Sequence, residues 1–176
     1  MAAPHEELEN LLFGDAAQNV FAVIDGASVP DLRYKLREMD PPQVCLYQGE
    51  LEPDMEEVAP YLVQLEQDTD FAEWILKGWG KHWGVFALTS GSLRDLRQHF
   101  RKFTVVYDEK GNPMYFRFYD PRVLRVYAPT CTGEELETLF GPVDAYLLEG
   151  EEPAVAVRLQ RGGGALSQSA VRLDGK

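Results

Sequence analysis

Tyr115-Phe116-Arg117-Phe118-Tyr119-Asp120-Pro121-Arg122-Val123-Leu124 joins an alternating apolar strand to the start of a helix. With a side-chain period of two, Met114, Phe116 and Phe118 face one way, and Tyr115, Arg117 and Tyr119 the other. Asp120 then suits an N-cap and Pro121 the first helical position, where a missing N–H costs nothing. Arg117 and Arg122 flank the Asp120 carboxylate where the chain changes direction. Two readings fit these charges: a partly buried ion pair with a helix cap, or a polar patch on a binding surface. Neither requires catalysis.

Before this junction, strands and helices alternate. Residues 6–13 carry Leu8, Leu11 and Leu12 at helical spacing. Residues 19–25 (Asn-Val-Phe-Ala-Val-Ile-Asp) are a short apolar run, expected as a central strand ended by Gly26. Residues 30–39 predict a helix stopped by Pro41-Pro42, and 44–47 a second strand. The acidic stretch 48–57 reads as a loop or ragged helix, and 58–65 is open between strand and helix, with Pro60 favouring an edge or irregular strand. Residues 71–79 predict a helix and 83–88 a strand. Ser92-Leu93-Arg94-Asp95 has a capping-box pattern, with Asp in place of Glu, and opens a helix to Lys102. Residues 104–107 and 114–119 predict a hairpin around Asp108-Glu109-Lys110-Gly111-Asn112-Pro113.

After the junction, Thr132-Gly133-Glu134-Glu135 forms a second capping box, whose helix Gly141-Pro142 breaks. Residues 143–148 and 154–160 read as two more strands. From Gly162 the glycine triplet and Ser167-Gln168-Ser169 predict a disordered, flexible tail, so the ordered domain is expected to span 1–161. The alternation implies an α/β (α+β) fold: a mixed β-sheet flanked by helices, in a single domain.

Nine Phe, eight Tyr and three Trp within a 45% hydrophobic chain supply a full core rather than a disordered one. No apolar run approaches the ~20 residues of a membrane span, and the first residues lack the basic and apolar regions of a secretory signal. Cys45 and Cys131 stand far apart with no C-x-x-C, as expected of two thiols in a reducing compartment. The net charge of −12 is uneven: residues 1–80 carry −13, residues 81–129 +5 and residues 130–176 −4. This polarity argues against nucleic-acid binding, which needs a strongly basic face, and is compatible with a protein partner steered by charge.

On the helix beginning at Ser92, Leu93, Leu96, Phe100 and Phe103 make a core stripe, while Arg94, Arg97 and Arg101 line a separate flank. Guanidiniums in a row are either a solvated face or a ridge that meets a partner. Trp74, Trp79 and Trp83 alternate with Gly78, Gly80 and Gly84, a cluster suited to core or interface. Nucleophile-elbow, phosphate-loop and zinc-protease motifs are absent, and His5, His82 and His99 lack companions at metal-ligand spacing. No catalytic residue, metal or cofactor is expected.

These segments together resemble the Tap-type effector adaptors of bacterial type VI secretion. The likeness is carried, in order, by Ala22-Val23-Ile24-Asp25-Gly26-Ala27, Cys45-Leu46-Tyr47, Ala59-Pro60-Tyr61-Leu62-Val63, Trp83-Gly84-Val85-Phe86, the helix ending His99-Phe100-Arg101, Phe116 to Leu124, and Phe140-Gly141-Pro142-Val143. It covers residues 19–143. The resemblance implies a cytoplasmic, non-enzymatic adaptor or chaperone that holds a toxic effector and helps load it onto the VgrG spike protein. Arg101, Arg117, Asp120, Pro121 and Arg122 match its strongest segments; Arg101, Arg117, Asp120 and Arg122, with Arg94 and Arg97, are the expected partner-binding residues. Asp25, Gly26, Phe116, Phe118, Pro121, Gly141 and Pro142 are expected to brace the fold. Many relatives carry an extra helical region after the position of Val143, where this chain has only residues 144–176. An immunity protein that neutralises a toxin directly, or an enzyme whose Cys or Ser meets His82 or His99 only in the fold, are the alternatives.

Overall fold

Apolar residues on both faces of its central strands force this chain to cover a sheet twice. The computed structural model describes residues 4–174. Its strands are β1 (Asn19–Asp25), β2 (Gln43–Cys45), β3 (Pro60–Leu65), β4 (Gly84–Thr89), β5 (Val105–Tyr107), β6 (Pro113–Tyr115), β7 (Ala145–Glu149), β8 (Val155–Gly162) and β9 (Ala165–Arg172). Seven of them form one sheet in the order β2-β3-β1-β4-β7-β8-β9, and β5 and β6 form a separate hairpin. In β1, Val20, Ala22 and Ile24 belong to one core and Phe21 and Val23 to the other. The helices α1 (Pro4–Phe13), α2 (Leu32–Met39) and α4 (Asp70–Leu76) cover the first face. The second is covered by α5 (Leu93–Arg101), α6 (Pro121–Tyr127) and α7 (Gly133–Phe140). A short α3 (Pro53–Val58) leads into β3. The expected α+β class in one domain is what the chain adopts.

The sheet itself differs from the mixed one expected, because every strand pairing is antiparallel. The strands linked by α2 (β1 and β2) and by α4 (β3 and β4) do run parallel, but another strand lies between each pair. β1 separates β3 from β4, and β3 separates β1 from β2. Pro60 does not mark an edge either: β3 lies between β2 and β1, with Pro60 as its first residue, where a missing N–H is tolerated.

The disordered tail expected from Gly162 is corrected to an edge strand. Gly163 and Gly164 have φ of +60° and +79°, so the glycines make the two-residue turn of a hairpin rather than a linker. β9 pairs with β8 along its whole length, from Gly162↔Ala165 to Val155↔Arg172. The region after Val143 is thus occupied by three strands.

Both capping boxes form. Ser92 and Asp95 close one at the head of α5, and Thr132 and Glu135 the other at α7. Gly141 ends α7 at φ +47°, where a Cβ would strike His99 Nδ1, and the carbonyl of Pro142 accepts the Thr89 hydroxyl at 2.6 Å. Gly26 is demanded by contact rather than torsion: a Cβ there would lie 2.3 Å from the Ala59 carbonyl oxygen.

Candidate functional site

The segment after β6 is not a continued strand. Pairing stops at Tyr115, and a turn closed by Asp120 N–H to the Arg117 carbonyl (3.0 Å) re-aims the chain. Phe118 and Tyr119 are consequently both buried, which corrects the expected alternation that put Tyr119 on the face opposite Phe118, beside Arg117. Phe118 stacks on Phe100 of α5 at 5.2 Å and meets Phe103 edge-on at 4.7 Å. Phe116 packs half-buried against Tyr127. Fully burying one such ring contributes about 2–3 kcal/mol, so these aromatics fix the junction onto α5.

The charges are sorted by this geometry. Arg117 does not face Asp120; its Nη2 donates to Oδ2 of Asp25, a residue 1% exposed at the end of β1. Asp25 also accepts from the Ser28 hydroxyl at 2.8 Å and the Ala27 N–H at 3.1 Å. This hydrogen bond holds the Arg117 pKa above its ordinary value. Asp120 caps α6 through the Arg122 N–H and takes the Arg122 side chain bidentately, Nε at 3.0 Å and Nη2 at 2.8 Å. Burial pushes the Asp120 carboxyl up, but the bonds from Arg122 outweigh it and hold the pKa below the usual aspartate value. Asp25, Arg117, Asp120 and Arg122 thus form two ion pairs at one corner, with Pro121 buried at the first helical turn.

Beside this corner, burial and a mutual hydrogen bond raise the pKa of Tyr119, and burial raises that of Tyr47. Tyr47 in turn meets Tyr115, ring centroids 4.7 Å apart. Here a groove opens between the loop after β2, the end of α5 and the β5–β6 hairpin. It has a volume of about 330 Å³, with Tyr47, Gln48, Arg101, Lys102, Tyr107 and Tyr115 on its walls. A shallower continuation of about 440 Å³ runs along α5 past Arg97. Neither stretch is lined by an acidic side chain. Arg101 is pinned by a 2.8 Å bond from Nη2 to the Cys45 carbonyl, while its buried Nε has no acceptor.

Of the expected residues, Arg97 and Arg101 therefore line one groove, and Arg117, Asp120 and Arg122 brace its neighbouring corner. Arg94 is exposed on the same helix but lines neither stretch. Tyr47, Lys102, Tyr107 and Tyr115 escaped the sequence reading as groove residues. The available signal was a tyrosine on each arm of a short, polar hairpin, where a core-facing pattern gives no reason for one.

Other polar groups are engaged elsewhere. Glu149, buried at the end of β7, accepts from the Gly80 N–H at 2.9 Å and the His82 N–H at 3.1 Å. His82 Nδ1 lies 2.7 Å from the same carboxylate, close enough for an ion pair but not aligned for a hydrogen bond. Burial raises the Glu149 pKa. His99 is buried and donates from Nε2 to the Leu139 carbonyl at 3.0 Å; burial lowers its pKa. Burial pushes both the Cys45 and Cys131 thiols up, away from the thiolate form. Among the described residues no cluster of His, Cys, Asp and Glu is placed to hold a metal, and no helix is long and apolar enough to cross a membrane.

A three-layer α+β domain with a cationic, tyrosine-walled groove is the class that fold and site define. The chain belongs to the family described as Domain of unknown function (DUF4123), whose model matches residues 20–138. This family is associated with type VI secretion effectors. Among curated proteins and among solved structures, no match to the chain is found.

Proposed function

We propose that the protein is a non-catalytic, cytoplasmic adaptor that binds a type VI secretion effector and helps load it onto the VgrG spike. The observation that carries the reading is family membership over residues 20–138, which includes α5, the hairpin and the Asp25–Arg117 corner. Two features of the molecule support it. The groove presents residue types that dominate polypeptide interfaces, arginine and tyrosine, on a rigid helix and a hairpin. Burial shifts both thiols, Cys45 and Cys131, away from the nucleophilic thiolate form.

The test is affinity purification of the tagged chain from its native host, followed by co-expression with the captured toxin. Recovery of a spike protein or a toxin that stays active in the complex supports an adaptor. Recovery of neither contradicts it, and loss of toxin activity on co-expression replaces it with an immunity role.

A further inference from the structure

We infer that the groove at the end of α5 receives an acidic segment of the effector, carboxylates on Arg97, Arg101 and Lys102 and an apolar or aromatic residue against the tyrosines. The inference rests on the adaptor reading for the identity of its occupant. The observations that carry it belong to the groove alone.

Charge is the first of them. The chain carries −12 overall, yet the walls of this groove present Arg97, Arg101 and Lys102 with no carboxylate among them. Five arginines elsewhere, Arg33, Arg117, Arg122, Arg161 and Arg172, each hold a carboxylate, whereas the groove gathers three cations with none. Cations left unmatched on an acidic protein are complementary to an acidic partner, which they steer and orient.

Preorganisation is the second. Arg101 is held by the Cys45 carbonyl, and its Nε is removed from solvent without an acceptor. A fixed guanidinium loses little side-chain entropy on binding, and a desolvated one gains most from a carboxylate. The third is the apolar wall. Tyr107 and Tyr115 are 69% and 56% exposed on the groove wall. Such a patch, rimmed by charge, fits a segment that alternates carboxylate and apolar groups. Arg97 and Arg101 are one helical turn apart, about 5–6 Å between Cβ atoms. That spacing suits carboxylates at i and i+4 of a bound helix or at i and i+2 of an extended strand.

The test is an NMR titration of the full chain with a peptide of alternating Glu and Leu, and with its Gln-for-Glu counterpart. The arginine Nε–H resonances are followed directly. The Glu peptide is expected to shift Arg101 Nε–H and the Tyr107 and Tyr115 signals, the Gln peptide to bind about tenfold more weakly or less. Arg97→Glu and Lys102→Glu, at surface positions and checked for folding by circular dichroism, are expected to abolish the difference. Equal response to the two peptides, or shifts elsewhere, overturns the inference. So does a double charge-reversal variant that still captures the effector at full yield. Groove binding of the Glu peptide with neither toxin nor spike recovered from the host sinks the adaptor reading instead.

Discussion

Replacing Asp25 by Asn and Arg117 by Gln, singly and together, measures what holds the corner before α6 to the sheet. The two residues are 92 apart in sequence, and their contact ties β1 to the turn before α6. Asn at position 25 keeps Oδ1 for the Ala27 N–H, but its amide NH2 replaces the Oδ2 that accepts from Arg117 and the Ser28 hydroxyl, and the charge is lost. Removing one partner of a fully buried pair costs about 3–5 kcal/mol. Here the Asp25 side chain is 1% exposed but that of Arg117 is 45% exposed, so the abandoned guanidinium rehydrates. The expected loss for Asp25→Asn is therefore smaller, about 2 kcal/mol, in the range of a charged hydrogen bond. Arg117→Gln strands a buried carboxylate that retains two other donors, and should cost about the same. The double variant should lose less than the sum, leaving a coupling energy of about 1–2 kcal/mol in urea unfolding. A coupling below about 0.3 kcal/mol, the noise of additivity, would refute the claim that this pair fastens the corner.

Two further outcomes follow from burial and register. His99 has its pKa lowered by burial, so the stability its neutral ring supports is complete above about pH 6.5 and is lost as pH falls through the folded value. The urea midpoint should therefore drop more between pH 7.5 and 5.5 in the parent than in His99→Gln; equal slopes would count against a buried neutral ring. On the outer edge, the bond from Leu173 N–H to the Ala154 carbonyl places odd-numbered residues of β9 toward β8 and even-numbered ones outward. Ser169→Pro should thus cost about 2 kcal/mol or more and Gln168→Pro less than about 1 kcal/mol; reversed or equal losses would contradict this register.

Much of this architecture could be read from local chemistry. The two capping boxes, the Asp120-Pro121 helix start and the Gly141-Pro142 stop depend on neighbours in sequence, and each stands where those residues put it. The failures lie where a distant contact decides. Nothing in residues 114–119 announces that pairing stops at Tyr115, because the turn there is fixed by Phe100 of α5 and by Phe103 just beyond it. The glycines at 163–164 suit a linker and a type I′ turn equally, and only the register with β8 distinguishes them. At the candidate site, the arginine flank of α5 was visible as a pattern, but its division was not. Arg101 and Arg97 line the groove because the loop carrying Tyr47 and Gln48 comes to lie against that part of the helix, leaving Arg94 outside. The partner of Arg117 was likewise hidden, since the nearest carboxylate in sequence, Asp120, is taken by Arg122.

The central claim is that this molecule acts by holding another polypeptide in a cationic, tyrosine-walled groove. Quantitative co-purification of the effector with the parent chain and with the Arg97→Glu, Lys102→Glu double variant tests it most directly. The account predicts that the parent retains an active effector and that the variant, folded to the same degree, loses it at least about tenfold. Undiminished capture by the variant, or no effector held by the parent, would contradict it.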